Sequence, residues 1–319
     1  TTALFFGRGA SVTYLSEPEE GALPVVFEIP PGASVTDVSE QLSADGLLDA
    51  SLWFKLYGRV TGSASEIQAG TFEVMPGMSV STLYEVFRSA ASDEREVTLL
   101  EGWTVQDIAD FLEESSIDED IEALLSDPTW REEFAFLAEL PVGLDLEGYV
   151  YPDTYRVFED ASAEDVLRKA LQTFESRIAD GRAEEVEASG RSLFEIVTIA
   201  SMLEREVRGS DDMKMVADLI YRRLQIGMPL QFDSTVNYVT GKNDPGVLLI
   251  DRDTPSPYNT YVNRGLPIGP ISNPSEQAID AALNPTENPY LFFLTTPEGD
   301  VIYAQTHEEH VQNKFRYLK

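Results

Sequence analysis

Two glutamates, Glu204 and Glu206, lie two positions apart in the stretch IASMLEREV at residues 199–207, which otherwise has the apolar composition of a protein core. Burial raises the pKa of a carboxyl group, and a general acid that works near neutral pH needs such a raised pKa. The chain contains no cysteine and only two histidines. If the protein is an enzyme, carboxyl and hydroxyl groups must therefore carry the chemistry.

A helix is predicted to position these two carboxylates. Ser192 and Glu195 have the spacing of a capping box, which marks the start of a helix. At 100° per residue, Glu204 shares a face with apolar side chains, whereas Glu206 lies on the opposite side. The apolar residues on the face of Glu204 are Leu193, Val197, Ala200 and Val207.

The helical register leaves two interpretations of Glu204 open. It is either a general acid at a cleft or a buried carboxylate satisfied by Arg208 or by a hydroxyl group such as that of Ser201. Glu206 is expected to be a partly solvated or paired carboxylate.

Three polar segments could build a cleft around such an acid. LEGYVYPDTY at residues 146–155 combines aromatic rings with the carboxylates of Glu147 and Asp153. SPYNTY at residues 256–261 carries Tyr258 and Asn259, and a proline-rich loop follows it. Aromatic rings beside amide and hydroxyl groups are typical of a sugar site, although each segment taken alone also fits ordinary turn chemistry.

The third segment, PLQFDST at residues 229–235, follows a predicted helix that stops at Gly227. If it is extended, Gln231, Asp233 and Thr235 point the same way, because side chains alternate along a strand. We therefore expect these three side chains to line the same cleft.

The pattern along the chain predicts an α+β fold. Residues 1–22 are interpreted as a tether. A short β-prone run, a glycine-containing turn and an amphipathic helical stretch then recur three times, and the first two copies predict a compact α/β module at residues 23–91. A larger mixed α+β domain is predicted for residues 92–319, with a β-hairpin turning at residues 297–300. The predicted N-cap residues of the three repeats are Ser34, Ser79 and Thr104.

The charge excludes several classes of ligand. The chain has 23 basic and 56 acidic residues, a formal net charge of −33. Such a field repels nucleic acid and anionic lipid headgroups from the folded surface.

His307 and His310 are three positions apart, not four as in a zinc-binding HExxH helix, so the sequence predicts neither a metal site nor a cofactor.

Taken in order, several long motifs resemble the YceG-like family of endolytic murein transglycosylases. They are LEGYVYPDTY, IASMLEREV, VADLIYRRLQIGMPLQFDSTVNYVTG, SPYNTYVNRGLPIGPISNPS, AALNPTENPYLFFL and THEEH, and they cover most of residues 97–319. Residues 23–91 resemble a LysM-like subdomain by pattern. The chain departs from the usual family residues at a few loop positions, which are Arg222, Phe232, Ser234, Ile268 and Ser275.

The resemblance implies a function and a site. Glu204 falls on the family's catalytic glutamate, which cleaves the β-1,4 bond between N-acetylmuramic acid and N-acetylglucosamine within glycan strands and leaves a 1,6-anhydromuramoyl end. The same carboxyl group acts as acid and then as base, so neither water nor a second carboxylate is needed. Residues proposed to bind substrate or to stabilise the transition state are Gln231, Asp233, Thr235, Tyr258 and Asn259, with Glu147 and Asp153 behind them.

The resemblance also implies partners and a location. The substrate is the peptidoglycan glycan strand, whose nascent length the enzyme limits beside the peptidoglycan synthases. A single N-terminal helix that precedes this chain would anchor it in the inner membrane, with the catalytic domain periplasmic or extracellular. Two alternatives stay open: a lysozyme-type muramidase that uses Asp233 or Asp153 as second carboxylate, and a non-catalytic peptidoglycan-binding scaffold.

Overall fold

The structure, a computed structural model, describes residues 25–30, 32–48, 51–89, 94–115, 120–158, 161–242 and 248–318. The tether predicted for residues 1–22 lies outside the described residues. The chain divides into two compact units, Thr1–Arg95 and Glu96–Lys319. The assignment of these units as a LysM-like and a catalytic domain stays a prediction.

In its described residues, the first unit has a two-stranded sheet, three α-helices and a short 3-10 helix at Ser63–Ser65. Strands β1 (Val25–Ile29) and β2 (Gly70–Val74) pair antiparallel, with Phe27 opposite Phe72. The helices are α1 (Val35–Ala44), α2 (Ser51–Thr61) and α3 (Val80–Ser89). Ser34 caps α1 through a capping box, and the hydroxyl group of Ser79 accepts a hydrogen bond from the backbone of Thr82 at the start of α3, which confirms both predicted N-caps.

The second unit holds the remaining elements in two strand pairs and a set of packed helices. The strands are β3 (Glu94–Thr98), which begins at the unit boundary and pairs with β4 (Thr154–Phe158), and the hairpin β5 (Phe292–Thr295) and β6 (Val301–Ala304). The longer helices are α4 (Val105–Glu114), α7 (Ala163–Phe174), α9 (Leu193–Glu206), α10 (Ser210–Gln225), α11 (Asp233–Thr240), α13 (Glu276–Leu283) and α14 (His307–Tyr317). Short helices are α5 (Ile121–Leu125), α6 (Trp130–Glu133), α8 (Ala183–Ser189) and α12 (Leu249–Arg252).

Helix α9 is the centre of this unit. All eight residues from Ile196 to Leu203 are buried, so the middle of the helix is enclosed on every side, and only its first and last turns are partly exposed. The predicted capping box is confirmed, because the Ser192 side chain accepts from the backbone N–H of Glu195 and the Glu195 carboxylate accepts from that of Ser192. Helices α10 and α13 pack against it.

The α+β fold class and the β5–β6 hairpin are confirmed. Residues 229–235 are not extended throughout, because α11 begins at Asp233, so the condition for Gln231, Asp233 and Thr235 to point the same way is not met. No helix in the described part of the chain combines the length and the apolar character that a bilayer span requires.

Candidate active site around Glu204

Glu204 lies in the last turn of α9 and is half-buried. Its Oε2 atom accepts two hydrogen bonds from Ser275, one from the backbone N–H at 3.0 Å and one from the hydroxyl group at 2.5 Å. Ser275 is the N-cap residue of α13, and its Oγ also accepts a hydrogen bond from the N–H of Ala278 at 3.1 Å. The Glu204 carboxylate therefore faces the N-terminal end of a helix, where the helix dipole favours a negative charge.

A second wall of the site is the turn at Gly102. Gly102 has a φ of +76°, and a Cβ at this position would lie 3.5 Å from Cγ of Glu204. The turn is held by two backbone contacts: Arg205 Nη1 donates to the Gly102 carbonyl at 3.1 Å, and the Gly102 N–H donates to the Asn273 carbonyl at 2.9 Å. A Cβ would make only an ordinary contact there, so the positive φ, and not a lack of space, is what favours glycine at this position.

Glu101, which was not predicted from the sequence as a site residue, is a carboxylate whose pKa is affected by Glu204. Partial burial and, second, the charge of Glu204 raise the pKa of Glu101. Glu101 also lines a surface depression of about 490 Å³ formed by residues 98–101 and 152–154. Glu204 itself is not among the residues that line this depression. The recurrent glycine-containing turn, here Glu101-Gly102-Trp103, was the available signal for this position.

Asp153 belongs to the same depression and is exposed. Its Oδ1 accepts a hydrogen bond from the N–H of Thr154 at 2.7 Å, and Oδ2 lies 3.9 Å from Arg177. The structure thus brings this predicted site residue to the surface that Glu101 shares.

Among the described contacts, Glu204 is not paired with Arg208. Arg208 is exposed, and the partner of Glu204 is Ser275. Arg208 is therefore wrong as the partner of Glu204, whereas a hydroxyl group does bond this carboxylate, that of Ser275 in place of Ser201.

Glu147 is a buried anchor beneath the site. It is 2% exposed, and both of its carboxylate oxygens accept from the Val105 N–H at 3.2 Å. Tyr238 Oη donates to it at 3.2 Å and Asn273 Nδ2 at 3.3 Å. Burial, followed by the charge of Asp145, raises the pKa of Glu147 well above its ordinary value. Glu147 thus ties the start of α4 to the loop that leads to α13.

The 229–235 segment contacts Glu206 and does not reach Glu204 by any described hydrogen bond. Gln231 is exposed and has a φ of 55°, a left-handed conformation uncommon for residues other than glycine. Thr235 is fully buried and its hydroxyl group lies 2.9 Å from that of Thr260. Because α11 starts at Asp233, the three predicted cleft residues do not share one face of a strand.

Asn259 is fully buried and braces its own loop. Its Nδ2 group donates to the carbonyls of Arg252 at 2.9 Å and Thr254 at 2.8 Å, and its Oδ1 accepts from the Tyr261 N–H at 2.9 Å. Both amide hydrogens are therefore already used.

Tyr258 is half-buried and its ring packs against that of Tyr238, with 4.9 Å between centroids. A Cβ at Gly269 would lie 3.5 Å from the Tyr258 hydroxyl group. Burial raises the pKa of Tyr258 to about 12, so the phenol is protonated and can donate a hydrogen bond at neutral pH.

Glu206 contacts the start of α11. Its Oε1 accepts from the backbone N–H of Ser234 at 3.1 Å, and burial of the carboxyl group raises its pKa to about 7. Hydrogen bonding by Ser234 opposes this rise, and the charge of Asp233 adds to it. Glu206 is thus a half-buried carboxylate at the start of α11, and this exposure agrees with the expectation of a partly solvated or paired carboxylate.

The two histidines serve packing at the described end of the chain. The His310 ring stacks on Phe292 with 5.4 Å between centroids, and His307 meets the same ring edge-on. Within the described residues, no group of three or more His, Asp and Glu side chains is arranged to hold a metal ion.

Comparison with known proteins gives consistent relatives. The sequence pattern of the YceG-like family matches residues 27–316. A Bacillus subtilis protein named endolytic murein transglycosylase is 31% identical, over 95% of this chain and 88% of its own length. A Streptococcus pneumoniae protein of the same name is 30% identical over 91% of this chain, which spans 57% of that relative. The crystal structure of a YceG-like protein from Listeria monocytogenes superposes with a TM-score of 0.63 at 29% identity, covering 91% of this chain and 99% of that one.

Proposed function

Because the chain belongs to the YceG-like family, we propose that it is an endolytic murein transglycosylase, a lyase that cleaves within peptidoglycan glycan strands. The name shared by the Bacillus and Streptococcus relatives supports the substrate class. The observation that carries the proposal for this chain is the carboxyl group of Glu204, which faces the α13 N-terminus and lies against the turn at Gly102.

Glu204 is proposed to act as acid and then as base. Its carboxyl group donates a proton to the glycosidic oxygen as the bond from C1 of the muramoyl residue breaks. The C6 hydroxyl group of the same sugar then attacks C1, and its proton passes to the Glu204 carboxylate. One bond is broken and one is formed, the catalyst is regenerated, and no water is consumed.

Ser275 would stabilise the ionised Glu204 carboxylate between its two proton transfers. When Glu204 has given up its proton, the carboxylate gains two donors from Ser275 and the dipole of α13. Hydrogen bonds to a charged group are about twice as strong as neutral ones, so this arrangement stabilises the ionised catalyst and works against the protonated form that the first step requires.

The remaining proposed site residues divide by their surroundings. Gln231, Asp153 and Tyr258 present exposed or half-buried polar groups and are proposed as substrate contacts. Thr235 and Asn259 are buried and are proposed to hold the loops in shape.

Product analysis tests the function. Wild type and Glu204→Gln are incubated with uncrosslinked glycan strands, and products are identified by mass. We expect internal cleavage with 1,6-anhydromuramoyl ends from wild type and a loss of about 10²-fold or more for Glu204→Gln. Glu187→Gln, at an exposed position of α8, removes the same charge and should cleave like wild type. Equal anhydro product from Glu204→Gln and wild type would refute the assignment.

A lysozyme-type muramidase is the second candidate, and Glu101 is the observation that favours it. A hydrolase needs a second carboxylate, and Glu101 is close enough for the charge of Glu204 to raise its pKa. Reducing ends in place of anhydro ends, lost in Glu101→Gln, would select this alternative.

The cellular role is proposed from the same family membership. The enzyme would act on nascent strands beside the peptidoglycan synthases, limit their length, and face the periplasm or the cell exterior. A membrane anchor preceding this chain belongs to the same proposal.

A further inference from the structure

Helix α11 begins without a cap of its own. Its N-cap residue is Phe232, which has no side-chain acceptor for the first backbone N–H groups. The carboxylate of Glu206, the last residue of α9, fills this role from another element by accepting the Ser234 N–H at 3.1 Å. The end of the helix that carries Glu204 is thereby bonded directly to the start of α11.

Some groups around Glu206 favour the ionisation of its carboxyl group and others oppose it. Burial and the Asp233 carboxylate on α11 disfavour ionisation, whereas the Ser234 N–H and Arg205, on its own helix, favour it. Asp233 itself accepts a hydrogen bond from the Tyr261 hydroxyl group and lies 4.0 Å from Arg252.

Two further groups lie against this residue without adding charge. The Thr295 hydroxyl group on β5 donates to the Glu206 backbone carbonyl at 3.4 Å. Ser234 Oγ is buried and makes no hydrogen bond within the described residues. The balance gives Glu206 a pKa of about 7, so its charge changes within the neutral range.

We propose that Glu206 is a positioning residue of the same active site, whose ionised carboxylate caps α11 and so holds the adjoining 231–233 segment against the Glu204 end of α9. The inference rests on the proposed function, because it assigns Gln231 and its neighbours to substrate binding. Protonation of Glu206 weakens the cap, since a neutral carboxyl group is a poorer acceptor than a carboxylate. Substrate affinity therefore falls as the pH drops below 7, through a group that does not touch the reacting atoms.

The test compares KM and kcat of wild type, Glu206→Gln and Glu187→Gln on glycan strands between pH 5.5 and 8. Glutamine keeps the shape and neutral hydrogen bonding but cannot ionise. We expect Glu206→Gln to raise KM roughly 5- to 10-fold at pH 8, with a smaller change in kcat, and to remove the wild-type rise of KM on acidification. Glu187→Gln should retain the wild-type profile.

A second variant tests whether Glu206 acts through its hydrogen bond with the Ser234 N–H. Ser234→Pro removes the N–H donor and leaves the carboxylate in place, and a first-turn proline is tolerated in a helix. We expect it to raise KM similarly, and the double variant to be no worse than either single variant, because both changes break one bond. Additive effects, or a Glu206→Gln profile identical to wild type, would overturn the proposal. If wild type produces no anhydro ends at all, the proposed function itself has failed instead.

Discussion

Ser275 Oγ lies 2.5 Å from Oε2 of Glu204 and at the same time accepts the Ala278 N–H as the cap of α13. One hydroxyl group thus links the stability of a helix to the carboxyl group proposed to do the chemistry. The two roles can be separated by substitution, because they depend differently on what replaces the side chain.

Replacement of Ser275 by alanine and by glycine should give the same activity and different stabilities. Both variants lose the hydroxyl donor to Glu204 and keep the backbone N–H, so we expect a similar loss in kcat of roughly 5- to 20-fold. Alanine is a poor N-cap and should cost about 1 kcal/mol of unfolding free energy, whereas glycine should cost only a few tenths. Thermal melts and anhydro-product rates measure both, and a kcat that follows stability would contradict the separation.

Removal of the Glu147 side chain should destabilise the second unit. Glu147→Ala leaves the buried Val105 N–H and the hydroxyl group of Tyr238 without their carboxylate acceptor, and weakens the hold on Asn273. We expect a loss of about 3 kcal/mol, seen as a lower calorimetric transition temperature. Glu187→Ala, at an exposed position, should stay within about 0.5 kcal/mol of wild type. An unchanged transition in Glu147→Ala would show that the buried network contributes little.

Glu206 should make the folded protein less stable as the pH rises. Its pKa is raised from 4.5 to about 7 in the folded protein, so the folded state binds this proton more tightly than the unfolded state. The contribution of Glu206 is most favourable below pH 4.5 and is lost as the pH rises through 7. The unfolding free energy of Glu206→Gln minus that of wild type should therefore increase by up to about 3 kcal/mol as the pH rises from 4.5 through 7.

Denaturation of Glu206→Gln and wild type at several pH values between 4.5 and 8 measures that shift. The comparison cancels every other titrating group, because both proteins share them. A difference that stays constant with pH would mean that the carboxyl group of Glu206 titrates near its ordinary value.

Replacement of Gln231 by glycine should maintain or raise stability but weaken substrate binding. Its φ of 55° strains a residue with a side chain and suits glycine, so Gln231→Gly should leave the protein equally stable or about 1 kcal/mol more stable. If the Gln231 amide contacts glycan, the same variant should raise KM several-fold. Improved stability with an unchanged KM would remove Gln231 from the proposed substrate contacts.

Asn259 should behave in the opposite way to Gln231. Its side chain is buried and bonded to the carbonyls of Arg252 and Thr254, so Asn259→Ala leaves backbone groups unsatisfied. We expect a loss of about 2 kcal/mol in unfolding free energy. A stable Asn259→Ala variant with a raised KM would instead return Asn259 to the substrate contacts predicted from sequence.

Local patterns were enough to predict the frame of the site. The Ser192 and Glu195 capping box marked the start of α9, and the helical register separated Glu204 from Glu206, because both signals act within a few turns of one helix. The hairpin near residues 297–300 was predictable for the same reason, since its turn and its strands are adjacent in sequence.

The partners of those residues were decided by tertiary structure alone. Ser275 is 71 positions from Glu204, and the fold brings it there by packing α13 against α9. Helix α11 escaped prediction because its cap is not local: Phe232 offers no acceptor, and the carboxylate that satisfies Ser234 comes from Glu206, 28 positions earlier. Sequence determines which groups are available at each helix end, but only chain packing decides which end receives them, because hydrogen-bond contacts across elements depend on distances that no local pattern encodes.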